Sequence, residues 1–259
     1  MIDADLLTVL LPAFAAGLIV LSTHLILGRQ VLQRGIVFID LAVAQVASLG
    51  VIISHHLMAG AEDATIAHHL FPIALSLSAS LIIAWLSHYL EHELEAIIGC
   101  IYVLAAAAVL IILAHNPYGS EQIERSLAGR IFWVTGVDLV IPAIVSLIFL
   151  LLVFLFPHIL YNWMFYPLFA VLITLSVDLV GVYLVFSTLI MPSLATYKIP
   201  KRRAISLACL LGAMGYGLGL LISHELDFPG GAVIVVVLAL ICILFRISHY
   251  YLTKDLSKK

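Results

Sequence analysis

Charge is scarce in this chain. Only 10% of its 259 residues are Asp, Glu, Lys or Arg, against about 25% in a typical soluble domain. With 64% apolar residues and a mean hydropathy of +1.20, that shortage excludes a water-facing globular surface. Cysteine is scarcer still. Cys100, Cys209 and Cys242 lie far apart in apolar runs with no CxxC, which excludes a disulfide framework and leaves them as small packing residues. The signatures HExxH, GxSxG and GxGD are missing, which argues against an intramembrane enzyme. GxxxxGK followed by Ser or Thr is missing too, so any ATP must be hydrolysed by another subunit. No basic residue precedes the first apolar run, so no cleavable signal peptide is expected and the first helix itself directs insertion.

What is present is apolar sequence in long runs. Nine segments lie at about 6–27, 36–54, 71–90, 96–114, 131–156, 164–178, 181–196, 204–222 and 230–252. Runs near 18 residues predict membrane-crossing helices, whereas a transmembrane barrel shows shorter alternating segments. The expected fold is all-α: one domain over 1–259, a polytopic transmembrane bundle of eight to nine helices. The count turns on 165–196, which reads either as two short helices broken near Asp178–Gly181 or as one long tilted helix.

The basic residues orient the bundle. With nine crossings, Arg29, Arg34, Lys198, Lys201, Arg202, Arg203, Arg246, Lys254, Lys258 and Lys259 share one side, which is then the cytoplasm. Arg125 and Arg130 fall outside with Asp3, Asp5, Glu62, Asp63, Glu121, Glu124, Glu225 and Asp227. The N-terminus is expected outside and the C-terminus in the cytoplasm. The stretch around Arg125 and Arg130 reads as an amphipathic interfacial or re-entrant helix. Gly215 and Gly219 form a GxxxG pair, which serves either packing within the chain or a seam between copies.

Several polar side chains interrupt this apolar background. Asp40, in FIDLAVAQVASLGV, is a carboxylate within an apolar segment. Such a group costs several kcal/mol unless it is paired or faces a water-filled path. It is therefore either part of a permeation path or an interfacial charge paired with Arg34. Gln45 follows five residues on, about 500° of rotation, so a regular helix points it about 140° away from Asp40. A kink or π-bulge would be needed to bring the two together. Asp178, beside Gly181, fits a broken helix lining a path or an interfacial turn. Pro192 is placed to kink its helix and free a carbonyl.

Histidine is plentiful, at 11 residues. His55 and His56 end the second segment and His68 and His69 begin the third, with Glu62 and Asp63 between them. That loop mixes borderline nitrogen with hard oxygen donors, a set that suits zinc or manganese at an entrance. His88 and His92, spaced i, i+4, would share one helical face. His224 and Asp227 cluster near Pro229. His24 lies near mid-membrane as a buried hydrogen-bonding group or a ligand.

Three stretches, in order, resemble a known family: the membrane permeases of zinc, manganese and iron ABC importers, of the high-affinity zinc uptake type. They are LLPAFAAGLIVLSTHLILGRQVLQRGIVFIDLAVAQVASLGV at 10–51, VGVYLVFSTLIMPSLAT at 180–196 and SHELDFPGGAVIV at 223–235. The resemblance implies a fold like the vitamin B12-type importer, less its first helix, in the bacterial inner membrane. It implies a second permease copy, cytoplasmic ABC ATPase subunits, and a periplasmic or surface metal-binding protein. Zinc, or else manganese or iron, would be the transported ion, with no permanently bound cofactor and no nucleic-acid partner. Two departures stand out. The family places a histidine four residues after its aspartate, where this chain has Asp40 and then Gln45 at five. The family's charged coupling helix is reduced to Phe156–Trp163, so coupling would be compact or use 88–95 and 197–203. An ATPase-independent metal carrier or channel is the alternative class.

Overall fold

The computed structural model describes residues 4–57, 65–90, 92–114, 116 and 118–256, with side chains described for all of these but 4–7, 56–57, 65–69, 125, 201–202 and 251–256. Ten α-helices follow in order: α1 (Ala4–Arg34), α2 (Ile39–Leu57), α3 (Thr65–Leu86), α4 (Leu94–Leu113), α5 (Gly119–Ala128), α6 (Val140–Leu155), α7 (Phe165–Val180), α8 (Val182–Ala195), α9 (Lys201–Leu226) and α10 (Gly230–Leu256). Short 3₁₀ turns stand at Ile131–Trp133 and Pro157–Leu160. No strand occurs among the described residues. Among the described residues four of the helices are long and apolar enough to cross a membrane by themselves, and three are shorter apolar helices. The pair α7–α8 is bent by 119°. The protein is therefore a multi-pass all-helical membrane bundle.

Close contacts order the helices. Phe14 of α1 faces Gly217 of α9, and Leu21 faces Gly212, so the two run antiparallel. Gly215 and Gly219 receive Leu238 and Ile234 of α10: a methyl added at either glycine would lie 2.7 Å from its neighbour. The GxxxG pair thus packs within the chain. Gly50 of α2 lies against Pro72 of α3, and Gly28 of α1 against the Leu189 carbonyl and Ser193 of α8. α2 sits at the centre: Ala42 to Ser48 are all buried, round the whole circumference. The outer helices point apolar side chains outward instead, among them Val103, Leu104 and Ile111 of α4, Ile141, Leu147 and Phe154 of α6, and Val236, Ile243 and Leu244 of α10. Faces of that extent belong against lipid or another apolar surface.

The stretch 165–196 forms two helices. The break is Gly181, at φ +83°. Both arms cover the depth of the bundle: Phe165 and Tyr166 begin α7 beside Arg34, and α8 returns to present Ser193 to Gly28, six residues short of Arg34. The Gly181 turn is locked against the segment after α5. Gly129, itself at φ +76°, lies with its backbone directly on Val180 and Gly181, and Gly231 of α10 abuts the Ala128 carbonyl.

Two expectations are corrected here. The fifth apolar segment, at 131–156, is helical only from Val140. Upstream, Asp138 accepts hydrogen bonds from the Thr135 amide (2.9 Å) and hydroxyl (2.8 Å), a turn that breaks the run and holds the Asp138 carboxyl below its usual range. His88 and His92 do not share a helical face, because α3 ends at Leu86 and α4 begins at Leu94. By contrast, the amphipathic helix expected near Arg125 and Arg130 is α5 and the turn that follows it.

Gly181→Ala is expected to be strongly destabilising. The left-handed backbone alone costs about 1–3 kcal/mol, and the new Cβ meets the Gly129 backbone. A thermal melt of the detergent-solubilised protein tests this; a melting temperature equal to wild type would show that the turn is slack.

Candidate functional site

The N-terminus of α2 is the most polar point of the core. Helix starts carry unpaired N–H groups and a partial positive charge. Here the partner comes from another helix: Glu95, in the first turn of α4, accepts the Phe38 N–H on Oε1 at 3.1 Å. Its Oε2 is buried and receives no donor. Asp40 stands in the first turn of α2, fully buried, and neither carboxylate oxygen has a hydrogen-bond partner. The pairing of Asp40 with Arg34 is not formed. The Arg34 guanidinium instead donates to the Leu160 carbonyl (2.9 Å) and the Asn162 carbonyl (3.2 Å) and lies over the rings of Phe165 (4.6 Å) and Tyr166 (5.3 Å).

The other sequence candidates are dispersed. Gln45 is buried on α2, but the helix runs unbroken from Asp40 through it, so the two do not share a face. His24 is fully buried on α1; its Nδ1 lies 3.3 Å from the Thr23 hydroxyl and its Nε2 has no partner. Asp178 stands at the opposite end, exposed, in an ion pair with Arg130 at 3.3 Å. His224 is exposed near the end of α9, and Asp227 caps that helix in the left-handed conformation, at φ +53°. His55 is exposed at the end of α2. The side chains of His56, His68 and His69, and the loop residues Glu62 and Asp63, lie outside the described residues. Among the described residues no three His, Cys, Asp or Glu side chains converge as a metal cage.

Two groups escaped the sequence reading. Glu95 looked like one of a run of charges at a helix end, yet it turns inward to α2. Arg34 was read as a cytoplasmic charge or a partner for Asp40, yet it clamps a remote turn. The signal for Glu95 was its place in the first turn of a strongly apolar helix; nothing in the sequence pointed to Leu160 or Asn162.

A profile of the ABC 3 transport family matches residues 7–167 and 156–249. The chain belongs to the ABC 3 transport family. A curated relative, a probable iron transport system membrane protein of Haemophilus influenzae strain Rd, is 26% identical over 201 residues, covering 68% of this chain and 71% of its own. Among solved structures, PsaBC from Streptococcus pneumoniae, determined with a Fab, shares the fold at a TM-score of 0.72 and 23% identity, over 94% of this chain and 91% of its own. ABC 3 membership makes the chain a membrane permease of the ABC transporter type, a family that implies an ABC ATPase partner.

The turn clamped by Arg34 lies beside a cavity. Arg34, Ser87, His88, Tyr161, Asn162, Trp163 and Tyr166 line a cavity of about 420 Å³ at one end of the bundle. Where the resemblance leads one to expect a coupling helix, the chain has only the short 3₁₀ turn Pro157–Leu160 and the residues up to Trp163. Arg34 holds that short element against the α1–α2 corner from which Asp40 projects. Arg34→Lys keeps the charge but loses the planar fork and the ring stacking. It is expected to leave the permease folded while lowering metal-dependent stimulation of the partner ATPase severalfold; unchanged stimulation would show the clamp to be structural only.

Proposed function

We propose that this chain is the membrane-spanning subunit of an ATP-driven importer of divalent first-row metal ions. It would work as a pair of permeases on two ATPase subunits in the bacterial cytoplasmic membrane. The N-terminus would face outward, the Arg34 end the cytoplasm, and an external metal-binding protein would supply the ion. The observation that carries the reading is Asp40: a fully buried carboxyl, both oxygens without a donor, on the central helix of an ABC 3 permease. A helix N-terminus supports an anion by about 0.3–1 kcal/mol, at most ~2. Leaving a carboxylate in the membrane interior without a partner costs several. The difference is what a passing cation supplies.

The metal follows from the donors. Zinc was expected because histidines abound, but His24 alone is buried among the histidines with described side chains. The unpartnered donors at the start of α2 are carboxylate oxygens, which suit manganese(II) or iron(II) at least as well as zinc. The curated relative's description as an iron transport protein points the same way. We place manganese and iron ahead of zinc. The histidines at 55, 56, 68 and 69 we assign to capture at the outer mouth, and His224 and Asp227 to the same side of the membrane. His24 and Asp178 remain weaker candidates, Asp178 because Arg130 already occupies it.

Asp40→Ala and Asp40→Asn should each abolish uptake of manganese, iron and zinc into vesicles bearing the permease and its ATPase, with membrane insertion unchanged. Near-normal uptake by Asp40→Ala would return Asp40 to a purely structural role. Metal uptake persisting without any ATPase that co-purifies would instead favour the carrier reading. Replacing His55, His56, His68 and His69 together with Gln should weaken uptake chiefly at low metal concentration; an unaltered dose response removes those residues from the path.

A further inference from the structure

The buried charge of Asp40 has a neighbour that no sequence motif supplies. Glu95 reaches from α4 to the start of α2 and spends only one of its oxygens on the Phe38 amide. Three carboxylate oxygens, Asp40 Oδ1, Asp40 Oδ2 and Glu95 Oε2, are left buried and without a donor. Glu95 is anchored two residues before Asp40, on the Phe38 amide, and carries a charge of the same sign. Arg29 and Arg34 do not neutralise the pair. Arg34 is engaged with the 157–163 turn, and the Nε and Nη1 of Arg29 are themselves without partners. Two carboxylates at one helix start, Asp40 fully buried and Glu95 partly so, disfavour each other's charged form unless a positive charge lies between them.

We propose that Glu95 is the second carboxylate of the cation site built on Asp40, so that α4 supplies from across the bundle the ligand that α2 lacks at Ala44 and Gln45. The proposal rests on the metal-permease reading and sharpens it. The bound species is a hard or borderline divalent cation held by oxygen, with water filling the remaining positions. Only two side chains hold it, and a transport site needs to be weak enough to release its ion. Glu95 has a second consequence for the path. It binds the start of α2 and the cation through the same carboxyl, so an ion arriving at Asp40 changes the hydrogen bonding of the helix that presents it.

Manganese(II) alone is the probe, titrated into the full-length permease with its ATPase in lipid nanodiscs and followed by the loss of the free-ion electron paramagnetic resonance signal. The decisive variant is Glu95→Gln, because the amide oxygen still accepts the Phe38 N–H while the charge is gone. At an unchanged melting temperature, Glu95→Gln and Asp40→Asn should each weaken manganese binding at least tenfold. The double variant should be little worse than either alone, as expected for two ligands of one site. Wild-type affinity in Glu95→Gln with loss in Asp40→Asn would make Glu95 a helix cap only and leave the permease reading intact. Fully additive losses would overturn the shared site. A wild-type protein that neither binds manganese, iron or zinc nor carries them into vesicles would overturn the metal reading itself.

Discussion

A helix buried on every side and set in a membrane has nowhere but the protein to find partners for its ends. That constraint governs α2. Its middle turns, Ala42 to Ser48, touch protein all round, and its first turn carries the open amides common to helix starts. Elsewhere in the core hydroxyls satisfy one another between helices: Ser76 and Thr174 bond each other at 2.7 Å between α3 and α7, and Thr188 meets the buried Tyr216 hydroxyl at 3.0 Å. At the head of α2 a carboxylate does the work instead, from a different helix. The same position therefore combines backbone polarity, two acidic side chains and deep burial, and the rest of the bundle is arranged around it.

Much of this architecture was legible in the sequence, because hydrophobic run length is a strong signal in a membrane protein. Six of the nine apolar segments match helices to within about four residues, while α1 runs seven residues past its segment and α3 starts six before its own, and the break at Gly181 was marked by a glycine beside an aspartate. The fifth segment was misjudged at its start, where Phe132, Trp133 and Val134 are apolar but sit in a turn set by Gly129, Thr135 and Asp138. The HxxxH spacing at His88 misled for a related reason: periodicity presumes a helix, and α3 had already ended at Leu86.

The site was legible only in part. Asp40 stood out because a lone carboxylate in FIDLAVAQVASLGV has a high energetic cost. The 140° offset of Gln45 followed from helix geometry and holds, since α2 has no bulge between the two. What no one-dimensional reading could provide was the approach of Glu95, 55 residues further along the chain than Asp40, or the turn of Arg34 away from its near neighbour in sequence. Both depend on which helices pack together. The histidines show the converse: their number suggested a nitrogen-rich site, yet number is not convergence.

The turn at Gly181 carries a mechanical implication. α7 and α8 are joined by one residue, and that residue is seated on the backbone of Gly129. A joint this short has no backlash. α7 leans on α3 and α2, and α8 on α1 and α10. Tilting one arm must swing the other about the same pivot, so the two halves of the bundle are geared together through a single glycine.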